Sequence, residues 1–188
     1  MQHRTTAELE AALGDIRAAP KGVGVVDLVV ARPAEGEREV LAEGALDISI
    51  GLVGDNWGTR SSSRTPDGGA HPEMQLNVIG SRLSRFVAVD PERRMLAGDQ
   101  LHVDLDLSEE NLPPGTRLAL GTAVIEVTAQ PHTGCAKFVE RFGGDAMRFV
   151  NSPVGRQLRL RGLNAKVVVA GTVRPGDEVR KVSADHAE

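Results

Sequence analysis

Leu101-His102-Val103-Asp104-Leu105-Asp106-Leu107 alternates apolar and polar side chains without a break, the period-two pattern of a strand with one face in a core. The pattern predicts a β-strand whose outer face carries His102, Asp104 and Asp106. Three such side chains raise the question of a metal site, but the spacing sets no ligand geometry, and a solvated sheet face is the expectation. The same signal recurs outward from this strand. Downstream, Asn111–Gly115 is a turn around two prolines, and Arg117–Leu120 and Ala123–Thr128 are spaced as a hairpin about Gly121 and Thr122. Ala165–Ala170 reads as a buried strand, Arg174-Pro175-Gly176-Asp177 as a turn and Glu178–Val182 as the last strand. Upstream, Gln75–Ile79 is a short strand and Leu83–Val89 is either a strand or a short helix. Val23–Arg32 is a Val- and Leu-rich strand, with Arg38–Leu41 as a short partner across the Pro33–Glu37 turn. Thr5–Ala18 has the spacing of an amphipathic helix, with Thr5 and Glu8 placed for a capping box. Many short strands with tight turns, and helices gathered late, define a mainly β fold. The expectation is a closed or partly closed β-barrel with short helices after the cysteine and one N-terminal helix.

The 188 residues suit one domain over 1–188, with the helix in 1–20, the barrel in 23–182 and a frayed polar tail in 183–188. A single cysteine excludes an intramolecular disulfide, and the first residues lack the apolar core of a signal peptide. No apolar run approaches membrane-spanning length. A soluble, cytoplasmic protein without a membrane partner follows as the expectation. With four Phe, one Trp and no Tyr, the core must be built from Val, Leu, Ile and Ala. The net charge of −4 hides an asymmetry, because residues 136–181 carry +6 and the remainder −10. A basic stretch after the cysteine suits a small anionic ligand bearing phosphate. An acidic chain poor in aromatics argues against nucleic acid.

The chemistry concentrates in Pro131-His132-Thr133-Gly134-Cys135-Ala136-Lys137-Phe138. An apolar strand leads in, Pro131 and Gly134 mark a turn, and helical spacing follows, so Cys135 is expected at a strand-to-helix turn. A thiol at a helix N-terminus near a lysine and a histidine ionises more readily, and the thiolate is the nucleophile and metal ligand. The alternative is that Cys135 is a small buried hydrophobe. Gly51-Leu52-Val53-Gly54-Asp55-Asn56-Trp57-Gly58 offers Asp55 and Asn56, which could bond either to a ligand or to the turn itself. The polar loop Thr59–Gly69 either is mobile or folds over a site, and His71 after it is a minor candidate. Gly143-Gly144 should break the helix after Cys135, and Ser152-Pro153 should start another over Val154–Arg161. Phe138, Phe142 and Phe149 are expected to form the hydrophobic seat of the site.

At these residues the chain resembles the MOSC domain family, named for the C-terminal domain of molybdenum cofactor sulfurase. The resemblance rests on Gly51-x-x-Gly54-Asp55, on Asn77-Val78, on the Pro131–Lys137 block, and on Arg161-Gly162-Leu163-Asn164-Ala165 through Gly171 to Gly176-Asp177. It spans roughly Val23 to Val182. Similar proteins are β-barrel domains that occur alone or fused to a pyridoxal-phosphate-dependent sulfurase or to redox domains. The resemblance implies the molybdenum cofactor (molybdopterin), with pyridoxal phosphate only on a separate partner, since no pyridoxal-phosphate lysine motif or electron-transfer domain stands in this chain. It gives a role to Cys135 alone, as molybdenum ligand or as sulfur acceptor. Lys137, Arg156 and Arg161 are the phosphate candidates, and His132, Thr133, Asp55 and Asn56 complete the cofactor-binding set. Three classes of function follow: an oxidoreductase for small oxidised nitrogen compounds, a sulfur carrier with a persulfide on Cys135, and a non-enzymatic binding module in which Cys135 is packed. A cysteine desulfurase, an electron-transfer protein and a second copy of the chain are the protein partners this reading admits.

Overall fold

The computed structural model describes residues 2–183, so residues 184–188 of the expected tail lie outside the described residues. Two short helices, α1 (Thr6–Ala11) and α2 (Leu13–Arg17), stand where one was expected. Thr5 and Glu8 form the capping box, and Leu9 is fully buried. The strands are β1 (Val23–Ala31), β2 (Glu39–Leu41), β3 (Gly44–Asp47), β4 (Gly51–Leu52), β5 (Leu76–Gly80), β6 (Leu101–Asp104), β7 (Arg117–Leu120), β8 (Ala123–Val127), β9 (Leu163–Val169), β10 (Gly171–Val173) and β11 (Glu178–Val182). Helix α3 (Ser81–Ala88) lies between β5 and β6, and α4 (Ala136–Asn151) and α5 (Pro153–Gln157) lie between β8 and β9.

Seven strands close into a mixed barrel in the order β1, β11, β7, β8, β9, β5, β6 and back to β1. Closure depends on β1, whose start pairs with β11 and whose middle pairs with β6, while its end carries the short β2. A register shift between Val26 and Leu28 bends it, and the local twist of a bulge is what lets one strand serve three neighbours. Among the described strands only β5 and β6 pair in parallel, a geometry that needs a crossover, and α3 belongs to that crossover. The β7–β8 hairpin forms with Leu120 opposite Ala123. Gly121 takes φ +56 at the turn, where a Cβ would stand 2.1 Å from the Thr172 carbonyl oxygen, so the turn admits glycine alone.

The interior is aliphatic, with Val26, Val29, Leu76, Val78, Leu101, Val103, Leu118, Ile125, Ala165 and Val167 buried together. A second apolar cluster lies outside the barrel, where Leu9, Leu83, Val87, Phe138, Phe142, Phe149 and Leu160 pack with Ile79. That cluster corrects one expectation. The outer face of β6 is not solvated, because α3 covers it, and the ambiguous segment 83–89 is helix as far as Ala88. His102 is 0% exposed, with its Nδ1 2.9 Å from Ser84 Oγ. Asp104 pairs with Arg82 at 2.8 Å, and Asp106, beyond the end of the strand, accepts from the Ser108 N–H. Helix α5 is also shorter than expected: Ser152 caps it, but it ends at Gln157 and Arg159 takes φ 46.

Candidate functional site

Cys135 is exposed and is the N-cap residue of α4, in extended backbone (φ −126°, ψ 175°). Its carbonyl accepts the first helical N–H bonds, from Phe138 and Val139. The loop before it is tied down at several points. Thr128 Oγ1 donates to the Glu73 carbonyl at 2.6 Å, Asn164 Nδ2 donates to the Gln130 carbonyl at 3.1 Å, and His132 Nε2 meets Asp99 at 2.8 Å. The helix behind it kinks at Gly143 (φ 88°), where the glycine pair was expected to break it. Phe138 and Phe142 pack at 5.0 Å between ring centroids, so the expected seat forms.

Under the loop lies a charged cluster in which two of the expected residues, His132 and Arg161, meet Asp99, which the sequence did not announce. Asp99 is 0% exposed and accepts from Arg161 Nη1 at 2.7 and 2.9 Å as well as from His132. Burial opposes its ionisation, but Arg161 and His132 outweigh it and hold the carboxyl at about 2. Arg161 also donates to the Ala97 carbonyl and lies over the Phe138 ring at 5.0 Å. For His132, burial and the Arg161 charge push the pKa below its ordinary value despite Asp99. The imidazole is therefore neutral at pH 7. Because an ionised carboxylate only accepts, Nε2 carries the proton and Nδ1 is left as an acceptor.

A second buried network joins three of the segments quoted from the sequence. Asp55 takes Arg32 in a two-pronged ion pair at 2.8 Å and also accepts the Trp57 N–H at 2.9 Å. Arg32 Nη1 donates to Asn77 Oδ1 at 2.9 Å and to the Gly98 carbonyl, and Asn77 Nδ2 donates to Asn164 Oδ1 at 2.6 Å. Of the two readings of Asp55, the structure realises the one in which it bonds to its own turn and to the protein. The neighbouring Asn56 keeps a buried Oδ1 without a partner.

Two cavities meet the cysteine block. One, of about 400 Å³, is lined by His132, Thr133, Asn151, Arg156, Arg159 and Arg161. The other, of about 630 Å³, is lined by Arg38, Asn56, Thr59, Arg60, Ser61 and Lys137, with Glu35 at its wall. Cys135 stands in the chain between Thr133 of the first and Lys137 of the second. Thr59, Arg60 and Ser61, at the start of the polar loop, line the second cavity, while His71 lines a smaller one beside Arg60 and accepts from the Glu73 N–H at 3.2 Å. The charge surplus of the late segment divides. Arg148, Lys166, Arg174 and Arg180 pair with Asp145, Glu126, Glu43 and Glu178; Lys137 and Arg161 line cavities while paired with Glu35 and Asp99, and Arg156 and Arg159 line one without an ion pair among the described residues. Arg38 and Arg60, from the acidic part of the chain, were missed as cavity residues, since Arg38 was read only as the start of a short strand and Arg60 only as part of the polar loop. Among the described residues, no group of three or more His, Cys, Asp or Glu is placed to hold a metal ion. No helix among them is long and apolar enough to cross a membrane.

A small mixed β-barrel, bearing an exposed cysteine at a strand-to-helix turn whose flanking residues line two cation-bearing cavities, is the class of protein these features define. The family profile of the MOSC domain matches residues 76–180, more than half of the chain, and the chain belongs to that family. Among solved structures, the YUAD protein from Bacillus subtilis is similar with a TM-score of 0.63 and 16% identity, over 86% of this chain and 97% of that one. YiiM from Escherichia coli is similar with a TM-score of 0.54 and 22% identity, over 85% of this chain and 70% of that one. At these identities the likeness speaks to the fold. Among curated proteins, no sequence matches the chain.

Proposed function

We propose that the chain holds a molybdenum–pterin cofactor with Cys135 as protein ligand to the metal, and that it acts as an oxidoreductase on small N-oxidised compounds. One observation carries the reading: the single thiol is exposed at the start of α4, in a block whose neighbours line two cation-bearing cavities. The donors fit such a group. Thiolate is a soft ligand suited to a transition metal. Buried polar atoms without partners occur on residues of both walls, Arg161 Nε in one and Arg38 Nε and Asn56 Oδ1 in the other, and such atoms call for a ligand or water. When bound, the cofactor would supply the redox chemistry. The chain's own part is to hold and orient. Cys135 fixes the metal end, cationic side chains take anionic oxygens through charge-assisted hydrogen bonds, and neutral His132 offers Nδ1 to a ligand N–H or O–H.

Protein made in a host that synthesises the cofactor should carry molybdenum and pterin. Cys135→Ser should keep the fold, judged by circular dichroism, and lose the metal, because an alkoxide does not form readily at neutral pH. Equal molybdenum in both proteins would end the reading. The exposure of Cys135 also favours a second reading, as a sulfur carrier. The thiolate would attack the outer sulfur of a desulfurase persulfide, forming a persulfide on Cys135 and releasing the donor as a thiolate. A mass gain of one sulfur atom at Cys135, without molybdenum, would select it. A packed, inert Cys135 does not agree with its exposure.

A further inference from the structure

We infer that His132, oriented by Asp99, is a general base that takes a proton from an N–OH group of a ligand bound in the smaller of the two cavities. The preceding reading makes that ligand the N-oxidised substrate, and the inference rests on it for that identity alone. The ring is held by one edge. Nε2 meets Asp99 at 2.8 Å, and a Cβ on Gly162 would stand 3.2 Å from the adjacent Cδ2, so the protein closes on the Nε2–Cδ2 side. The backbone there takes φ +105, which suits glycine and leaves room for the ring. The side chain is 12% exposed, and Nδ1, across the ring, has no partner among the described residues. That nitrogen is not sealed. His102 Nε2 is buried without a partner, whereas His132 lines a cavity of about 400 Å³ from which Nδ1 can be reached.

The groups behind the ring set what it can do. Asp99 is ionised, so the imidazole donates Nε2–H to it and presents the lone pair of Nδ1 on the other side. A carboxylate placed in this way also stabilises the imidazolium that forms once Nδ1 takes a proton. Burial and the Arg161 guanidinium, itself 2.7 Å from Asp99, act against that charge and keep His132 unprotonated at pH 7. A base must be empty before it can accept, and these neighbours supply an empty nitrogen and a counter-charge together. Arg32 pushes in the same direction as Arg161, and Arg156, Arg159 and Glu109 are the other charged groups on the cavity. The backbone leading to the ring is fixed as well, since Asn164 holds the Gln130 carbonyl and Thr128 the Glu73 carbonyl. The step is a proton transfer. The ligand's O–H bond breaks, its electron pair stays on oxygen and the proton bonds to Nδ1, so no oxidant or reductant enters. The oxyanion left behind is a better ligand for a metal than the neutral N–OH.

Nitrogen NMR of the apo protein labelled in its histidines, titrated with acetohydroxamic acid as a small N–OH probe, tests the site. His132 should show a protonated Nε2 and a bare Nδ1, and the Nδ1 signal should move saturably toward that of a protonated nitrogen as the probe binds. A proton on Nδ1 in the free protein, or no saturable shift, would overturn the inference. In protein loaded with the cofactor, His132→Gln should lower kcat for reduction of the same probe about hundred- to ten-thousandfold, the usual effect of losing a positioned base. The Gln amide can still donate to Asp99, so molybdenum content and thermal midpoint should stay near those of wild type. A merely structural histidine would tolerate Gln, and an undiminished rate in that variant overturns the inference. Wild-type kcat should fall with acid through a limb below about pH 6.5, the ordinary histidine value, because burial and Arg161 lower the pKa; His132→Gln should lack the limb. Added imidazole should restore turnover to His132→Ala, which no structural role would produce. Should His132→Gln fail to fold, the wild-type titration decides. A saturable Nδ1 shift in apo protein, with no reduction of the probe by loaded wild type, would end the oxidoreductase reading and leave the proton-accepting site standing.

Discussion

Arg32 and Arg38 lie at either end of the turn Pro33–Glu37, and they are in opposite electrostatic states. Arg32 is 2% exposed and donates to Asp55, to Asn77 and to the Gly98 carbonyl. Arg38 is half-buried, has no carboxylate partner and keeps its Nε unpartnered. A buried charge that is fully paired is part of the scaffold, since removing either partner strands the other in a low-dielectric interior. A charge held near others of its own sign does nothing for the scaffold and is kept ready for something else. The contrast separates the groups that build this site from those offered to a ligand.

The largest effect expected from this comparison is on stability. Arg32→Ala should destabilise the protein by about 3–5 kcal/mol, because Asp55 would be left buried without a counter-charge. Arg38→Ala should stay within about 0.5 kcal/mol of wild type. Urea denaturation of both variants is the measurement. Similar losses in the two would dissolve the distinction between scaffold and ligand-facing cations.

A smaller effect comes from acid, and it falls on two buried groups, His102 and Asp99. Under α3, His102 has burial as the main reason for a pKa lowered to about 4, whereas an unfolded histidine titrates near 6.5. Between those values the unfolded chain binds one more proton than the folded one, so stability falls as pH drops and is unaffected by this group above 6.5. The loss amounts to about 3 kcal/mol once pH is below 4. Asp99 acts at still lower pH, as its raised affinity for Arg161 and His132 is lost on protonation between about 3.8 and about 2. Denaturation at pH 7 and 4.5 in wild type and His102→Gln checks the first range. The variant should be flatter across it, and an unchanged slope would assign the acid sensitivity elsewhere.

The barrel was legible because period two is a local signal: the alternation at 101–107 and the pairing of 117–120 with 123–127 need no knowledge of the rest of the chain. Cys135 at a helix start and the Ser152 cap were legible for the same reason, since turn and cap residues act over three or four positions. What failed depended on cover or convergence. The face of β6 was read as solvated because nothing in Leu101–Leu107 records that α3 packs on it. Asp99 could not be found because it follows a 3₁₀ segment, Pro91–Ala97, without a strand or helix period. Segment charge misled in a particular way. It counted Lys166 and Arg180, which meet Glu126 and Glu178, and it passed over Arg38 and Arg60, which line one cavity with Lys137. Net charge along a chain cannot say which cations keep their counterions after folding.

The smallest effect concerns Glu35, and it asks how ready the unpaired cations are. Its carboxylate is exposed and accepts from Lys137, whose hydrogen bond and charge hold its pKa below the usual carboxylate range. On the proposed reading, a cofactor phosphate entering the cavity that Lys137 lines competes with that carboxylate for the lysine, so the folded protein carries a weak internal rival for its own ligand. Exposed pairs of this kind contribute little, and replacing the rival by a neutral isostere should raise phosphate affinity only about two- to fivefold. Glu35→Gln measured beside wild type by calorimetry with inorganic phosphate gives the comparison, and the gain should shrink at high salt, where surface pairs are screened. Combining Glu35→Gln with Lys137→Ala should cancel the gain, because the carboxylate acts through the ammonium group. A gain that persists in the double variant would mean that Glu35 opposes the anion through the general field of the cavity, and Lys137 would then leave the set of phosphate candidates.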